Sequence, residues 1–284
     1  MAVDLHTHSN YSDGTLDPIQ LLKLADQINL TAIAITDHDE IGAHITLEES
    51  LSSFRVRVVS GVEFSIDIEL PGTAHLHMLG LFIDIRNDEL NYVLNELRAA
   101  RQERAYKIIN KLREQGILIS INEVDKIVGQ GSAGRPHIAQ LLIDKNAVGS
   151  VWEAFSKYLS KGKPAYISKK KLSIKKAIEI IHHSQGLAIL AHPVSLKLKR
   201  YKDTELFLKE LKSIGLDGVE AFYSTHSPNF TRYLVNAAQR QNLLISGGSD
   251  FHGTVKPDTH LGIGRGNLNV PDEVYFELIR NLSK

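Results

Sequence analysis

Leu30-Thr31-Ala32-Ile33-Ala34-Ile35-Thr36-Asp37-His38-Asp39 is the stretch on which the reading of this chain turns. Residues 30–35 form a continuous β-branched and apolar run, as expected of a strand buried on both faces. The run stops at a histidine flanked by two carboxylates. In barrels and doubly wound sheets, the C-terminal end of a strand carries the chemistry.

Working outward, the same arrangement recurs. Val3-Asp4-Leu5 starts a strand that runs into His6-Thr7-His8. Asp17-Pro18 opens a helix, with proline at a first-turn position, and its apolar face is Ile19, Leu22, Ala25 and Ile28. A helix follows His38, through about residue 51. Residues 55–62 read as a third strand ending at Glu63, and 74–83 as a fourth containing His75 and His77. The alternation β, α, β, α, β argues for parallel strands with crossover helices.

The middle of the chain differs. Residues 87–115 are one long helical pattern ending at Gly116, followed by shorter helical pieces at 122–128, 136–145 and 151–158. No buried parallel strand is legible between 84 and 163. Residues 99–168 are therefore expected to be an inserted small helical subdomain, with residues 1–98 and 169–284 forming the main α/β body. Trp152 is expected in the core of this insertion. Alternation then resumes with helices at 174–183, 203–213, 229–241 and 272–281. Strands at 187–191, 218–222 and 243–246 lead to Ala191-His192-Pro193 and Gly248-Ser249-Asp250-Phe251-His252.

Composition narrows the chemistry. Among 284 residues there is no cysteine, which excludes disulfides, iron–sulfur clusters and a thiol nucleophile. A cysteine-free chain without a visible signal peptide is expected in the cytoplasm. The apolar runs are too short for a bilayer. Net charge is zero, so a globally basic nucleic-acid binder is not indicated. Charge is nonetheless uneven. Eight lysines and no acid fall between Lys157 and Lys176, and Lys197, Lys199, Arg200 and Lys202 form a second run. Both runs read equally well as solvated surface.

There are thirteen histidines, and their positions carry the argument. His6, His8, His38, Glu63, His192, Asp250 and His252 all sit at or just past the ends of predicted strands. Packing alone does not explain this, because buried ionisable groups need partners. In His6-x-His8 and Asp250-x-His252, extended chain points both side chains the same way. Asp13, in a Ser-Asp-Gly turn, can reach back over the same face, and His77 lies mid-strand. Imidazole and carboxylate donors suit zinc, manganese or iron(II). A carboxylate such as Glu63 can bridge two ions. Two ions can clamp the attacking and leaving oxygens of a displacement and generate hydroxide as nucleophile. Asp37 and Asp39 are expected to orient the donors. His44, His182, His183 and His260 read as surface or structural.

The ordered set His6-Thr7-His8-Ser9 with Ser12-Asp13-Gly14, Thr36-Asp37-His38, Gly61-Val62-Glu63-Phe64-Ser65, His77-Met78-Leu79-Gly80, Ala191-His192-Pro193 and Gly248-Ser249-Asp250-Phe251-His252 resembles the motifs of the PHP (polymerase and histidinol phosphatase) superfamily. The resemblance covers nearly the whole chain. It implies a distorted seven-stranded (β/α)7 TIM-like barrel with two or three divalent metal ions. One ion would take His6, His8, Glu63 and Asp250; a second would share Glu63 and add His77 and His192; a third would take Asp13, His38 and His252. His75 has no role assigned by this pattern.

Three further motifs, Gly134-Arg135-Pro136-His137-Ile138-Ala139, Gly162-Lys163-Pro164-Ala165-Tyr166 and Tyr223-Ser224-Thr225-His226-Ser227-Pro228, resemble the PHP phosphoesterases with a helical insertion. That subgroup includes 3',5'-nucleoside bisphosphate phosphatases and a 5'-to-3' exoribonuclease. It implies a nucleotide phosphatase, with an exonuclease on RNA 5' ends or short oligonucleotides as the alternative. Arg135 and Lys163 would then contact phosphate, the first through a bidentate fork and the second as a point charge, and His226 would contact sugar or phosphate. Arg135 reads alternatively as a helix-start residue, Lys163 as a solvent lysine and His226 as a loop histidine. A metal-bound binding domain without activity and a histidinol phosphatase are the remaining alternatives. No membrane and no obligate protein partner are implied.

Overall fold

The computed structural model describes residues 2–70, 72, 74–128, 131 and 133–282. Seven strands make one sheet in chain order: β1 (Val3–Thr7), β2 (Ala32–Ile35), β3 (Arg57–Ile66), β4 (Leu76–Leu81), β5 (Leu187–Leu190), β6 (Gly218–Tyr223) and β7 (Leu244–Gly248). The sheet curls until β7 leads back to β1. There the Asp250 amide donates to the His6 carbonyl at 2.8 Å, and the His8 amide to the Phe251 carbonyl at 2.9 Å. The result is the expected seven-stranded barrel, nearly closed.

One expectation about direction fails. β1–β2–β3 and β5–β6–β7 are parallel, but β4 is antiparallel to both β3 and β5. The link between β3 and β4, residues 67–75, is too short to carry a crossover helix, so the chain turns back as a hairpin. This reversal matters for the site. His77 is the second residue of β4, not a mid-strand one. Because β4 runs backwards, its start lies beside the C-terminal ends of the other strands.

Strand alternation then sorts the side chains. Val3, Ala32, Ala34, Val59, Leu79, Leu81 and Ile189 fill the barrel interior, with Val274 and Leu278 of α10 (Asp272–Leu282) packed against them. The opposite faces of β2 and β3 pack on α1 (Pro18–Gln27) and α2 (Gly42–Leu47), through Ile33, Ile35, Val58, Leu21, Leu22 and Leu47. Those of β3–β6 pack on α7 (Ile174–His183), α8 (Tyr201–Ser213) and α9 (Pro228–Arg240). α1 begins with a reciprocal cap. Asp17 accepts from the Gln20 amide at 2.9 Å, and the Gln20 side chain accepts from the Asp17 amide at 3.1 Å. Its buried face is Pro18, Leu21, Leu22 and Ala25, whereas Ile28 is exposed.

α3 (Asp88–Glu114) is the long helix, capped by Asn87. Its first half packs Leu90, Leu94 and Leu97 on the barrel. Its second half packs Ala105, Ile108, Ile109 and Leu112 into a separate core with α4 (Ile121–Val128), α5 (Arg135–Asp144) and α6 (Val151–Ala154). Trp152 is not in that core and is 78% exposed. α6 is only one turn long before the chain widens into a π turn at Phe155–Leu159. Its inward positions go to Ala154 and Leu159, and the indole faces out.

Candidate metal centre

The mouth at the C-terminal ends of the strands collects the ionisable groups. β1 reaches it through a bulge: Asp4 pairs with Ile33 but Thr7 pairs with Ile35, so β1 carries one extra residue. A bulge re-aims side chains. Beyond it His6 and His8 take the inward positions and both are fully buried. Three non-glycine residues at this mouth, Asp39, His192 and Asp250, hold positive φ. Each such residue costs on the order of 1 kcal/mol and persists only where surroundings over-determine it.

Glu63, 1% exposed, is the hub. Its Oε1 accepts from His77 Nδ1 at 2.7 Å and His192 Nε2 at 2.9 Å. Its Oε2 lies 2.9 Å from His38 Nδ1, 3.2 Å from His8 Nε2 and 3.4 Å from His6 Nε2. On the other side, Asp250 Oδ1 lies 3.3 Å from His8 Nε2 and 3.6 Å from His6 Nε2. Asp13 closes the far end, 3.2 Å from His252 Nε2 and 3.9 Å from His38 Nε2. The structure thus brings together all nine donors expected from the sequence. His75, exposed, joins His77 and His192 in a further group of three.

These donors fit metal ions. Glu63 Oε2, His38 Nδ1 and His192 Nδ1 are buried without a hydrogen-bond partner, and such atoms call for a ligand. His6 Nε2 and His8 Nε2 lie 3.2 Å from each other and 3.2–3.6 Å from Glu63 Oε2 and Asp250 Oδ1. Four ligands about 2.1 Å from one tetrahedral ion stand about 3.4 Å apart. The acid–base state agrees. Burial opposes charge on Glu63, but His38, His77 and His6 hold its carboxyl well below the usual range. Asp13 and Asp250 are likewise held down against burial, the first by His252 and His38, the second by Lys256 and His252. Burial works against a proton on His8, yet Asp250 and Glu63 lift it to about 9, and Glu220, Glu63 and Asp250 raise His6 in the same way. Burial prevails at His77, which drops to about 3. Carboxylates thus pull both His6 and His8 toward their charged forms, so the pocket favours positive charge.

Several supporting residues escaped the sequence reading. Glu220 is fully buried inside β6, accepts from His6 Nδ1 at 3.0 Å and from the His192 amide at 2.6 Å, and so aims His6 Nε2 at the cluster. An acid inside the apolar run 218–222 was the available signal. Tyr223 and Lys256 both donate to Asp250 Oδ2, at 2.8 and 2.6 Å. Asp37, expected to orient the donors, accepts from the Ser9 amide and from the Ser9 and Ser12 hydroxyls, which fixes the turn bearing His8 and Asp13. Asp39 instead pairs with Arg101 and Lys169.

The three residues expected to bind substrate differ in their surroundings. His226 is 4% exposed; its Nδ1 donates to the Ala221 carbonyl at 3.0 Å, and its buried Nε2 has no partner. Burial pushes this imidazole down to about 4, so it is neutral. Arg135 donates to the Leu159 carbonyl at 3.0 Å, with its guanidinium over Phe155 and Tyr166. Lys163 is exposed. A groove of about 970 Å³ leaves the cluster at Asp13 and runs between Tyr11, Gln20 and Lys23 on one side and Pro136 and Gln140 on the other.

A barrel with imidazoles and carboxylates meeting around a shared glutamate at its mouth defines the class of metal-dependent hydrolases. More particularly, the chain belongs to the PHP domain family, whose model matches residues 4–214. It is 32% identical to the 5'-3' exoribonuclease Rnm of Escherichia coli over 92% of this chain and 88% of that one. It is 31% identical to the 3',5'-nucleoside bisphosphate phosphatase of Chromobacterium violaceum over 88% and 87%. Among solved structures, a proposed metal-dependent phosphoesterase from Bifidobacterium adolescentis superposes with a TM-score of 0.84 at 27% identity, covering 98% of this chain and 95% of that one. Fold, donors and relatives agree on the reaction class, hydrolysis of phosphate esters. Among the described residues, no helix is long and apolar enough to cross a membrane.

Proposed function

We propose that this protein is a nucleotide phosphatase with a trinuclear metal site, removing a phosphate from a mononucleotide such as a 3',5'-nucleoside bisphosphate. The observation that carries the proposal is Glu63, whose two oxygens face separate sets of imidazoles. In this reading His6, His8, Glu63 and Asp250 hold one ion. Glu63, His77 and His192 hold a second, and Asp13, His38 and His252 a third. Manganese, iron and zinc all suit this donor chemistry. When bound, the ions would supply Lewis-acid charge opposite the phosphoryl oxygens.

The chain's own residues do the rest. Tyr223 and Lys256 fix Asp250, and Glu220 fixes His6. The neutral His226 offers Nε2 as an acceptor, suited to a sugar hydroxyl. Arg135 and Lys163 reach from the insertion, residues 99–168, which acts as a cap that excludes water. A cysteine-free chain fits the cytoplasm. The test is phosphate release from nucleoside bisphosphates by manganese-loaded protein. The expected result is turnover that Glu63→Ala lowers at least about 100-fold. No release, or a Glu63→Ala variant as active as wild type, sinks the proposal.

A second reading, 5'-to-3' exonuclease action on short RNA, has the groove in its favour, since it leads from Asp13 to the surface. The two basic runs favour it less. Lys157, Lys169, Lys170, Lys175 and Lys176 pair with Glu153, Asp39, Glu96, Glu179 and Glu89, while Arg200 and Lys202 pair with Asp203 and Glu205. A product ladder from 5'-phosphorylated RNA would support this reading, and activity confined to mononucleotides would remove it.

A further inference from the structure

We propose that His75 is a further metal ligand, a third imidazole for the ion held by His77 and His192. The proposal rests on the metal-site reading above and adds to it a donor that the motif pattern does not contain.

His75 immediately precedes β4, and His77 is the second residue of that strand. In extended chain, residues i and i+2 point the same way, the spacing already met in His6-x-His8 and Asp250-x-His252. The backbone fastens this pair to the turn that carries His192. The Ala191 amide donates to the His77 carbonyl at 3.2 Å, and the His75 amide donates to the Ser195 carbonyl at 3.1 Å. The Ser195 amide in turn donates to the His192 carbonyl at 2.9 Å. His192 is thus held between two hydrogen bonds to the segment that bears His75 and His77.

The three imidazoles meet as a result. The ring centroid of His75 stands 4.9 Å from that of His77 and 5.6 Å from that of His192, and His77 and His192 are 5.1 Å apart. The planes are inclined by 49°, 61° and 73°, so no pair is stacked. One nitrogen from each ring lies within 4.8 Å of the other two. Ligands about 2.1 Å from one ion stand up to about 4.2 Å apart, so small ring rotations bring all three onto a shared ion. His192 is 4% exposed, and its Nδ1 is buried without a hydrogen-bond partner.

Coordination number gives the same answer. The first ion has four protein donors, whereas Glu63, His77 and His192 give the second only three. Zinc takes four ligands and expands to five during catalysis. His75 brings the second set to four protein donors and leaves the fifth position to substrate. Three imidazoles to one carboxylate also favour zinc or iron(II) over manganese at that position.

Zinc titration of metal-free protein against a chromophoric chelator tests this, with wild type, His75→Gln and His75→Asp. His75 is exposed, so both variants are expected to keep the wild-type circular dichroism. Even a partner that only orients a ligand is worth 10–100-fold in affinity, so His75→Gln is expected to weaken one zinc site at least about tenfold and to leave the others unchanged. His75→Asp supplies a carboxylate in the same place and is expected to restore most of that loss. Equal zinc binding by wild type and His75→Gln overturns the proposal. So does a loss spread evenly over every site, which would make His75 a support of the loop and not a donor. No nucleotide enters the titration, so failure of the phosphatase reading leaves it intact. Wild type that takes up no zinc overturns the metal-site reading itself, a result distinct from equal binding.

Discussion

At His6, one nitrogen donates to Glu220 at 3.0 Å and the other faces Glu63, His8 and Asp250. Glu220 also accepts from the His192 amide, so one buried carboxylate sets two donors on two sides of the cluster. Such partners fix the ring and its tautomer, and losing them typically costs 10–100-fold in metal affinity. Glutamine in its place has a single acceptor oxygen and cannot serve both contacts. Glu220→Gln is therefore expected to bind manganese about 10–100-fold more weakly than wild type in chelator competition, with its circular dichroism unchanged. Equal affinity would show that Glu220 merely fills space. His44 makes a different residue-scale case. Its Nε2 lies 2.9 Å from the Ile35 carbonyl and 3.1 Å from that of Gly61, and burial lowers its pKa. A histidine kept neutral when folded contributes stability that is present above its ordinary pKa of 6.5 and is lost as pH falls through its lower folded value. Urea midpoints of wild type should thus fall from pH 7.5 to pH 5.5 more than those of His44→Gln. Parallel losses would exclude this role.

Elements were legible where short-range rules act. Pro18 after Asp17 gave the start of α1, and the helical patterns gave α3 and α7 nearly to the residue. The nine donors were legible because strand ends concentrate them and each sits in a short local pattern. The direction of β4 was not, because an apolar run specifies a strand but carries no sign. The length of the link 67–75 carried that information. Glu220, Lys256 and the pairing of Asp39 with Arg101 and Lys169 depend on contacts between distant stretches, which no window reveals. The seam between β7 and β1 is another such contact, and glycine makes it possible. A Cβ on Gly248 would stand 2.4 Å from both the backbone nitrogen and the Cβ of His6. Gly248→Ala must push apart the strands that carry His6 and Asp250. The expected cost is roughly 3 kcal/mol, at the upper end for overpacking, read by urea unfolding together with weakened metal binding. A variant within about 0.5 kcal/mol of wild type, the range of surface substitutions, would mean that the seam has slack.

The whole molecule is electrically neutral, and many of its surface lysines are matched by acids. Three cations, Arg101, Arg104 and Lys169, lie largely buried at the joint between barrel and insertion, and Asp39 pairs with two of them. A long polyanion would bind through many surface cations, with an affinity that falls steeply with salt. The groove from Asp13 is then the route left for a longer substrate. Among the described residues lining it, only Lys23 carries positive charge, beside Tyr11, Pro136, Ile127 and Val151. Gln140 stands on its wall, exposed, and donates only to Asp144. A bulky side chain there narrows the groove without disturbing a core. Gln140→Trp is expected to lower the ratio of kcat/KM for a 5'-phosphorylated trinucleotide to that for a mononucleotide at least fivefold. An unchanged ratio, with trinucleotide still degraded, would show that oligonucleotides enter by another path and that the groove serves neither substrate.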